Sequence, residues 1–201
     1  MNNLLKSLPI YYQHWLFLLM VCLLCSVLHI IDVLRPLLMF THVSIIDAQY
    51  WRLLTHSLVH TNTPHLLLNI SGALLLWALH GQFFSYVNYL IIWLLLALGT
   101  SIGLYYFSPE MISYVGLSGV LHGFFVIGAC EDIKHKEKTG YLLLFAVIAK
   151  VIHEQIFGAS KEVMQLIDAN VAIDAHLYGL ISGLFIVIII SSYAYFTKIK
   201  A

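Results

Sequence analysis

The chain has 201 residues, of which 61% are hydrophobic and 10% charged. Soluble domains carry about a quarter charged residues, so this chain has too little polar surface to coat a water-soluble globule, and lipid is the solvent that fits it. Lys+Arg and Asp+Glu balance at 10 each, so net charge gives no hint of a nucleic-acid partner, and none is expected.

A helix needs roughly 20 mainly apolar residues to cross the hydrocarbon layer. Six segments are expected to do so: residues 15–33, 65–79, 86–107, 115–130, 140–157 and 171–196. The first follows a polar start and has no small-x-small cleavage site, so it is expected to be an anchor and not a removed leader. Its Cys22-Leu-Leu-Cys25 has metal or redox spacing, but it lies mid-span without a second pair. Both cysteines, and Cys130, are expected to pack as small apolar residues. Thr63-Pro64 opens the second span, a helix-start signal. Ser108-Pro109 follows the third. The expected fold class is all-α: one polytopic membrane domain, residues 1–201, with six transmembrane helices and no internal repeat.

An even number of crossings puts both termini on one side. That side holds Lys6, Lys134, Lys136, Lys138, Lys198 and Lys200; the other holds Arg35, Arg52 and Lys161. The positive-inside bias predicts cytoplasmic termini. The long connection before residue 63 then lies on the outer face, where Tyr50 and Trp51 suit the interface. Asp32 and His29, near the end of the first span, are expected there too.

Polar groups inside spans are expensive and mark function by default. Three clusters fall toward the outer ends of the second, fourth and sixth spans. In the first, His65 and Asn69 are four residues apart and share a helix face. In the second, Gly116-Leu117-Ser118-Gly119 leads to His122-Gly123. A serine in a membrane helix usually bonds back to a carbonyl, but Gly119 and Gly123 form a face that lets another backbone approach. In the third, His176 shares a face with Gly179 and Gly183. Packing the two glycine faces together brings Ser118 within reach of His176.

That pairing has a chemical meaning. A serine is a weak nucleophile until a base takes its proton, and a histidine titrates near neutrality. Acyl transfer also needs donors for the oxyanion. His65, Asn69 and the Ser118 backbone N–H suit that task. Asp174 lies two residues from His176 and points elsewhere on a helix, so no triad through it is expected.

In their order, these residues resemble the rhomboid intramembrane protease family. The likeness rests on Trp51-Arg52, His60, His65-x-x-x-Asn69, Gly116-x-Ser118-Gly119 and Ala175-His176-x-x-Gly179-x-x-x-Gly183. It implies a serine endopeptidase with Ser118 and His176 as catalytic dyad and His65 and Asn69 in the oxyanion hole. It also implies structural roles for Trp51 and Arg52, with neither cofactor nor metal. Gly-Leu-Ser-Gly-x-Leu-His-Gly and the Asp174 before Ala175-His176 resemble one branch, the rhombosortases. That branch implies membrane-anchored surface or secreted substrates with a C-terminal Gly-Gly motif, a membrane helix and a basic tail. It further implies a Gram-negative inner membrane with the site facing the periplasm.

Several residues are left open. His122, one turn after Ser118, is expected either to pack, to touch Ser118 or the substrate, or to compete with His176 as the base. Lys150 and Glu154, four apart in the fifth span beside His153, are expected either to pair or, with His122, to bind substrate. The 11 histidines and the His56-x-x-x-His60 spacing keep a metal- or haem-handling membrane protein as an alternative. A catalytically inactive rhomboid-like protein that binds clients is a further one, although such relatives typically lose the dyad.

Overall fold

The computed structural model describes residues 8–199, and within 193–199 the backbone alone. Lys6 and Lys200, used above for orientation, lie outside the described residues, as does the Lys198 side chain. The described chain is helical, with one isolated backbone bridge between Phe40 and Tyr114. Six long helices order it: α1 (Tyr12–Ile30), α2 (Thr63–His80), α3 (Tyr86–Phe107), α4 (Ser118–Lys134), α5 (Thr139–Phe157) and α6 (Ile173–Ile199).

Local chemistry sets their ends. The Asn62 side chain accepts from the His65 N–H (2.9 Å) and Pro64 occupies the first turn of α2, as expected at a helix start. Ser85 caps α3 in the same way. Gly158, at a φ of 80°, ends α5. Expected boundaries differ most at two places. The first helix runs from 12 to 30, because Ile31 leaves helical geometry and a 3-10 turn follows. The fourth begins at Ser118 and not at 115, because Gly116 has a φ of 118° and cannot belong to a helix.

Among the described residues, five helical segments are long and apolar enough to cross a membrane: Tyr12–Ile30, Thr63–Phe83, Tyr86–Phe107, Thr139–Phe157 and Ile173–Ser192. α4 is shorter, at 17 residues, and its last turns carry Glu131, Asp132 and Lys134. Its place explains its composition. It packs against α2, α3, α5 and α6, and Gly119, Val120, Leu121, Gly123, Phe124, Val126 and Ile127 are all buried. The other helices turn large apolar side chains outward, among them Leu23, Leu74, Ile91, Phe145 and Ile188. Such a surface suits lipid contact and would aggregate in water. Cys25 is buried in the core with Leu18, Val21 and Leu76, and none of the three cysteines is paired.

The connection between α1 and α2 folds into short helical turns, Arg35–Leu38, His42–Ile46 and Arg52–Thr55. Arg52 is buried and ties them together. Its Nη1 donates to the carbonyls of Pro36 (2.8 Å) and Met39 (2.7 Å), and its Nε to Gln49 Oε1 (2.8 Å). Trp51 is half exposed, with its Nε1 donating to the Leu37 carbonyl (3.0 Å). Thus both residues shape the loop. The loop in turn docks on the segment before α4: Phe40 and Tyr114 exchange backbone hydrogen bonds, and the Gly116 N–H donates to the His56 carbonyl (2.9 Å).

Candidate active site

The start of α4 is built around Gly116. At its positive φ a side chain is strained, and a Cβ there would sit 2.7 Å from His65 Nε2. The Tyr114 hydroxyl bridges the turn, donating to the Gly116 carbonyl (2.9 Å) and accepting from the Gly119 N–H (3.2 Å). Burial pushes the Tyr114 phenol up to about 12, so it stays neutral and keeps both bonds. Ser118 is the first residue of α4. Its N–H therefore has no acceptor within the helix and lies at the positive end of the helix dipole.

α6 reaches this point by backbone contact. A Cβ on Gly119 would lie 2.8 Å from the Ala175 carbonyl, and one on Gly123 2.8 Å from that of Gly179. A Cβ on Gly183 would lie 2.7 Å from the Gly123 carbonyl, and one on Gly179 would run into the Gly119 backbone. The two helices interlock through four glycines. The result is a distance of 3.0 Å between Ser118 Oγ and His176 Nε2.

His176 has a second partner. Its Nδ1 lies 2.8 Å from Glu154 Oε2, and Glu154 Oε1 lies 2.7 Å from Lys150 Nζ. Since a carboxylate only accepts, Nδ1 carries the proton and Nε2 is free to accept from the Ser118 hydroxyl. His122 stacks on the His176 ring (centroids 4.2 Å, planes 19°), while its Nδ1–H donates to the Ser118 carbonyl (2.7 Å).

His65 and Asn69 face the same space from α2. Thr61 lies against His65 Nδ1, with its N–H at 3.4 Å and its Oγ1 at 3.0 Å. The Thr61 hydroxyl also donates to the Ile167 carbonyl (2.9 Å), and His65 Nε2 faces Gly116. Asn69 Nδ2 donates to the His65 carbonyl (3.1 Å), which leaves a second amide N–H. A cavity of about 780 Å³ joins these groups. His65, Asn69, Ser118 and His176 line its polar end, and Leu68, Leu75, Leu121, Phe125, Leu143 and Val147 are among its apolar lining. It runs between α2 and α5 across α4.

Residues 47–193 match the Rhomboid domain. The chain belongs to the rhomboid family. It is also similar to "Putative rhomboid protease YdcA" of Bacillus subtilis (strain 168), 25% identical over 150 residues, which cover 71% of this chain and 68% of that protein. With its apolar helices, this makes the chain a multi-pass membrane protein, and family and relative together support an intramembrane protease.

In this rhomboid, the structure brings together five of the residues singled out in the sequence: Ser118, His176, His65, Asn69 and His122. Lys150 lines the cavity, half exposed, while the Glu154 carboxylate is committed to Lys150 and His176. The bond from Glu154 to His176 was not legible in the sequence, where the i,i+4 Lys150–Glu154 spacing signals only an ion pair. Asp174 lies elsewhere, hydrogen-bonded to Ser108 Oγ (2.5 Å), which also contacts the Tyr178 hydroxyl (3.1 Å). Ligand atoms of His122, Glu154 and His176 lie within 4.8 Å of one another. A metal ion there would have to displace Ser118 or Glu154 from His176, whose two nitrogens are both engaged. His56 and His60 are buried in the loop against Tyr114 and His65 respectively and form no such set.

Proposed function

We propose that this chain is an intramembrane serine protease with Ser118 as nucleophile and His176 as general base. The observation that carries the reading is the 3.0 Å contact between Ser118 Oγ and His176 Nε2, at the polar end of an apolar cavity large enough for an unwound stretch of chain. Ser118 Oγ attacks the scissile carbonyl carbon and its proton passes to His176 Nε2. The oxyanion is held by the Ser118 N–H, His65 Nε2–H and the second Asn69 amide N–H. His176 then returns the proton to the leaving amine. Water, activated by the same imidazole, releases the acyl chain.

On this reading α4 is a sixth span, short because neighbouring helices surround it; 17 residues is the lower end of what crosses a bilayer. Ser118 starts α4, whereas Lys134, Lys136 and Lys138 lie at or just past its far end. The basic bias supports cytoplasmic termini and a periplasmic site in an inner membrane. Substrates are membrane-anchored proteins that enter between α2 and α5. The rhombosortase-like motif around Ser118 favours clients with a C-terminal Gly-Gly anchor segment: glycines fit the narrow space beside Gly116 and unwind easily.

The test is co-expression with C-terminally anchored clients, comparing wild type with Ser118→Ala by mass spectrometry of the new C-terminus, together with fluorophosphonate labelling of purified protein. Ser118-dependent cleavage and labelling are expected. A folded wild-type protein that neither cleaves nor labels sinks the proposal. A metal-dependent activity indifferent to Ser118→Ala would instead favour the cluster of His122, Glu154 and His176 as a metal site.

A further inference from the structure

The protease reading needs only two side chains, but the structure carries the contact one residue further. Glu154 stands on α5, outside every motif that linked the chain to its family. Its side chain is 12% exposed and that of His176 7%. Each of its oxygens has one partner: Oε2 meets His176 Nδ1 at 2.8 Å and Oε1 meets Lys150 Nζ at 2.7 Å. The acid nearest in sequence, Asp174, is held by Ser108. The groups facing His176 are therefore Ser118 and His122 from α4, Glu154 and Lys150 from α5, and His65 from α2.

We propose that Glu154 is a positioning residue that completes a Ser118–His176–Glu154 relay, with Lys150 fixing the carboxylate. This rests on the protease reading and deepens it. The chemistry follows from what each atom can do. Ionised Glu154 accepts only, so it holds the proton on Nδ1 and leaves Nε2 basic toward Ser118. Without it, the imidazole is free to carry its proton on Nε2, and that tautomer cannot take the Ser118 proton. When His176 becomes positive during attack, the carboxylate lies directly against it and stabilises the charge. His122, stacked on the ring and tied to the Ser118 carbonyl, stops the imidazole from swinging away to compensate.

The test uses the full chain in proteoliposomes with a membrane-anchored substrate that the wild type cleaves. Rates are measured across pH for Glu154→Gln, Glu154→Asp and Lys150→Met, and folding is checked by thermal melting. Glu154→Gln is close in shape but uncharged, and should lose about a thousandfold in kcat with KM within a fewfold. The acid limb of its pH–rate profile should move to lower pH, because the negative charge beside His176 is gone. Glu154→Asp should retain more activity than Glu154→Gln. Lys150→Met should move the acid limb the other way, to higher pH, which keeps the idea testable even where Glu154→Gln does not fold. A merely structural role would scale rates at all pH values alike and favour Gln over Asp. A folded Glu154→Gln within about threefold of wild type, or acid limbs that do not move in either variant, overturns the relay. Wild-type protein without Ser118-dependent cleavage or labelling overturns the protease reading itself, so the two failures are distinguishable.

Discussion

Gly183→Ala should weaken the enzyme at a distance from its chemistry. A Cβ at 183 would sit 2.7 Å from the Gly123 carbonyl, and ordinary contact begins at 3.4 Å. The helices must therefore separate by about 0.7 Å, since a backbone carbonyl inside α4 cannot swing aside as a side-chain tip can. Gly183 lies two turns, roughly 10 Å, from His176 along α6. If α6 moves as a body, the Ser118–His176 contact of 3.0 Å stretches to about 3.7 Å, past useful hydrogen-bond length. A misplacement of about 1 Å costs on the order of a hundredfold in rate, so kcat/KM should fall by roughly 10- to 100-fold. Initial cleavage rates in proteoliposomes and the second-order rate of fluorophosphonate labelling at Ser118 should fall together. Ile188→Ala, on the exposed outer side of α6, is the control and should change neither. Gly179→Ala, which sets a methyl against the Gly119 backbone, should fail to fold stably. A folded Gly183→Ala with wild-type rates would show that the glycine interlock does not set the distance between Ser118 and His176.

Other consequences follow from the same geometry. His65→Ala and Asn69→Ala should each lower kcat about 100- to 1000-fold with little change in KM, and the double variant should lose less than the product of the two; a KM effect alone would make them substrate contacts. Arg52→Ala leaves the carbonyls of Pro36 and Met39 without their donor and should destabilise the protein by about 2–4 kcal/mol in thermal or denaturant melts; no change would mean that water replaces the guanidinium. The loop should also sense acid. Burial lowers His56 to about 4 and His60 to about 3, from 6.5. Below pH 6.5 the unfolded loop binds protons that the folded loop refuses, so stability is fully present above pH 6.5 and declines as pH falls toward 4. His56 alone contributes roughly 2–3 kcal/mol of that decline. His60→Phe removes a ring whose nitrogens have no partner and should flatten the slope between pH 6.5 and 4. An unchanged slope would place the acid-sensitive group elsewhere.

How far the sequence could be read depended on whether a feature was local. Helix starts at Asn62-Thr63-Pro64 and Ser85, and the glycine spacings at 119/123 and 179/183, are local signals, and the helices and the α4–α6 contact follow from them. The contact between Ser118 and His176 needed one inference more, that two small-residue faces pack together. Boundaries near residue 116 were less legible, because only the backbone geometry reveals that Gly116 is a turn residue held by Tyr114 and His56. The bond from Glu154 to His176 was beyond reach for a different reason. It joins α5 to α6, and no periodicity within either helix says which side of α5 faces His176. The Lys150–Glu154 spacing had a sufficient local explanation as an ion pair, and the structure shows that pair to be only half of what Glu154 does.

Electrostatics explain why such an acid belongs on α5 and comes with a lysine. A lone carboxylate at this depth is costly, whereas Glu154 is matched by Lys150, whose side chain is half exposed at the cavity and can keep its ammonium hydrated. The resting site then carries no net charge, with His176 neutral between Glu154 and Ser118. On the proposed mechanism, attack creates an oxyanion and an imidazolium together, so the site remains neutral. The charges alternate in space: ammonium, carboxylate, imidazolium, oxyanion, and then the positive end of α4. No charge is left without an opposite neighbour at any step, which matters most where water is scarce. Asp174 cannot give this order from α6, because residues two apart on a helix point about 160° away from each other. The acid must come from a neighbouring helix, and α5 is one whose side chains already border both His176 and the cavity.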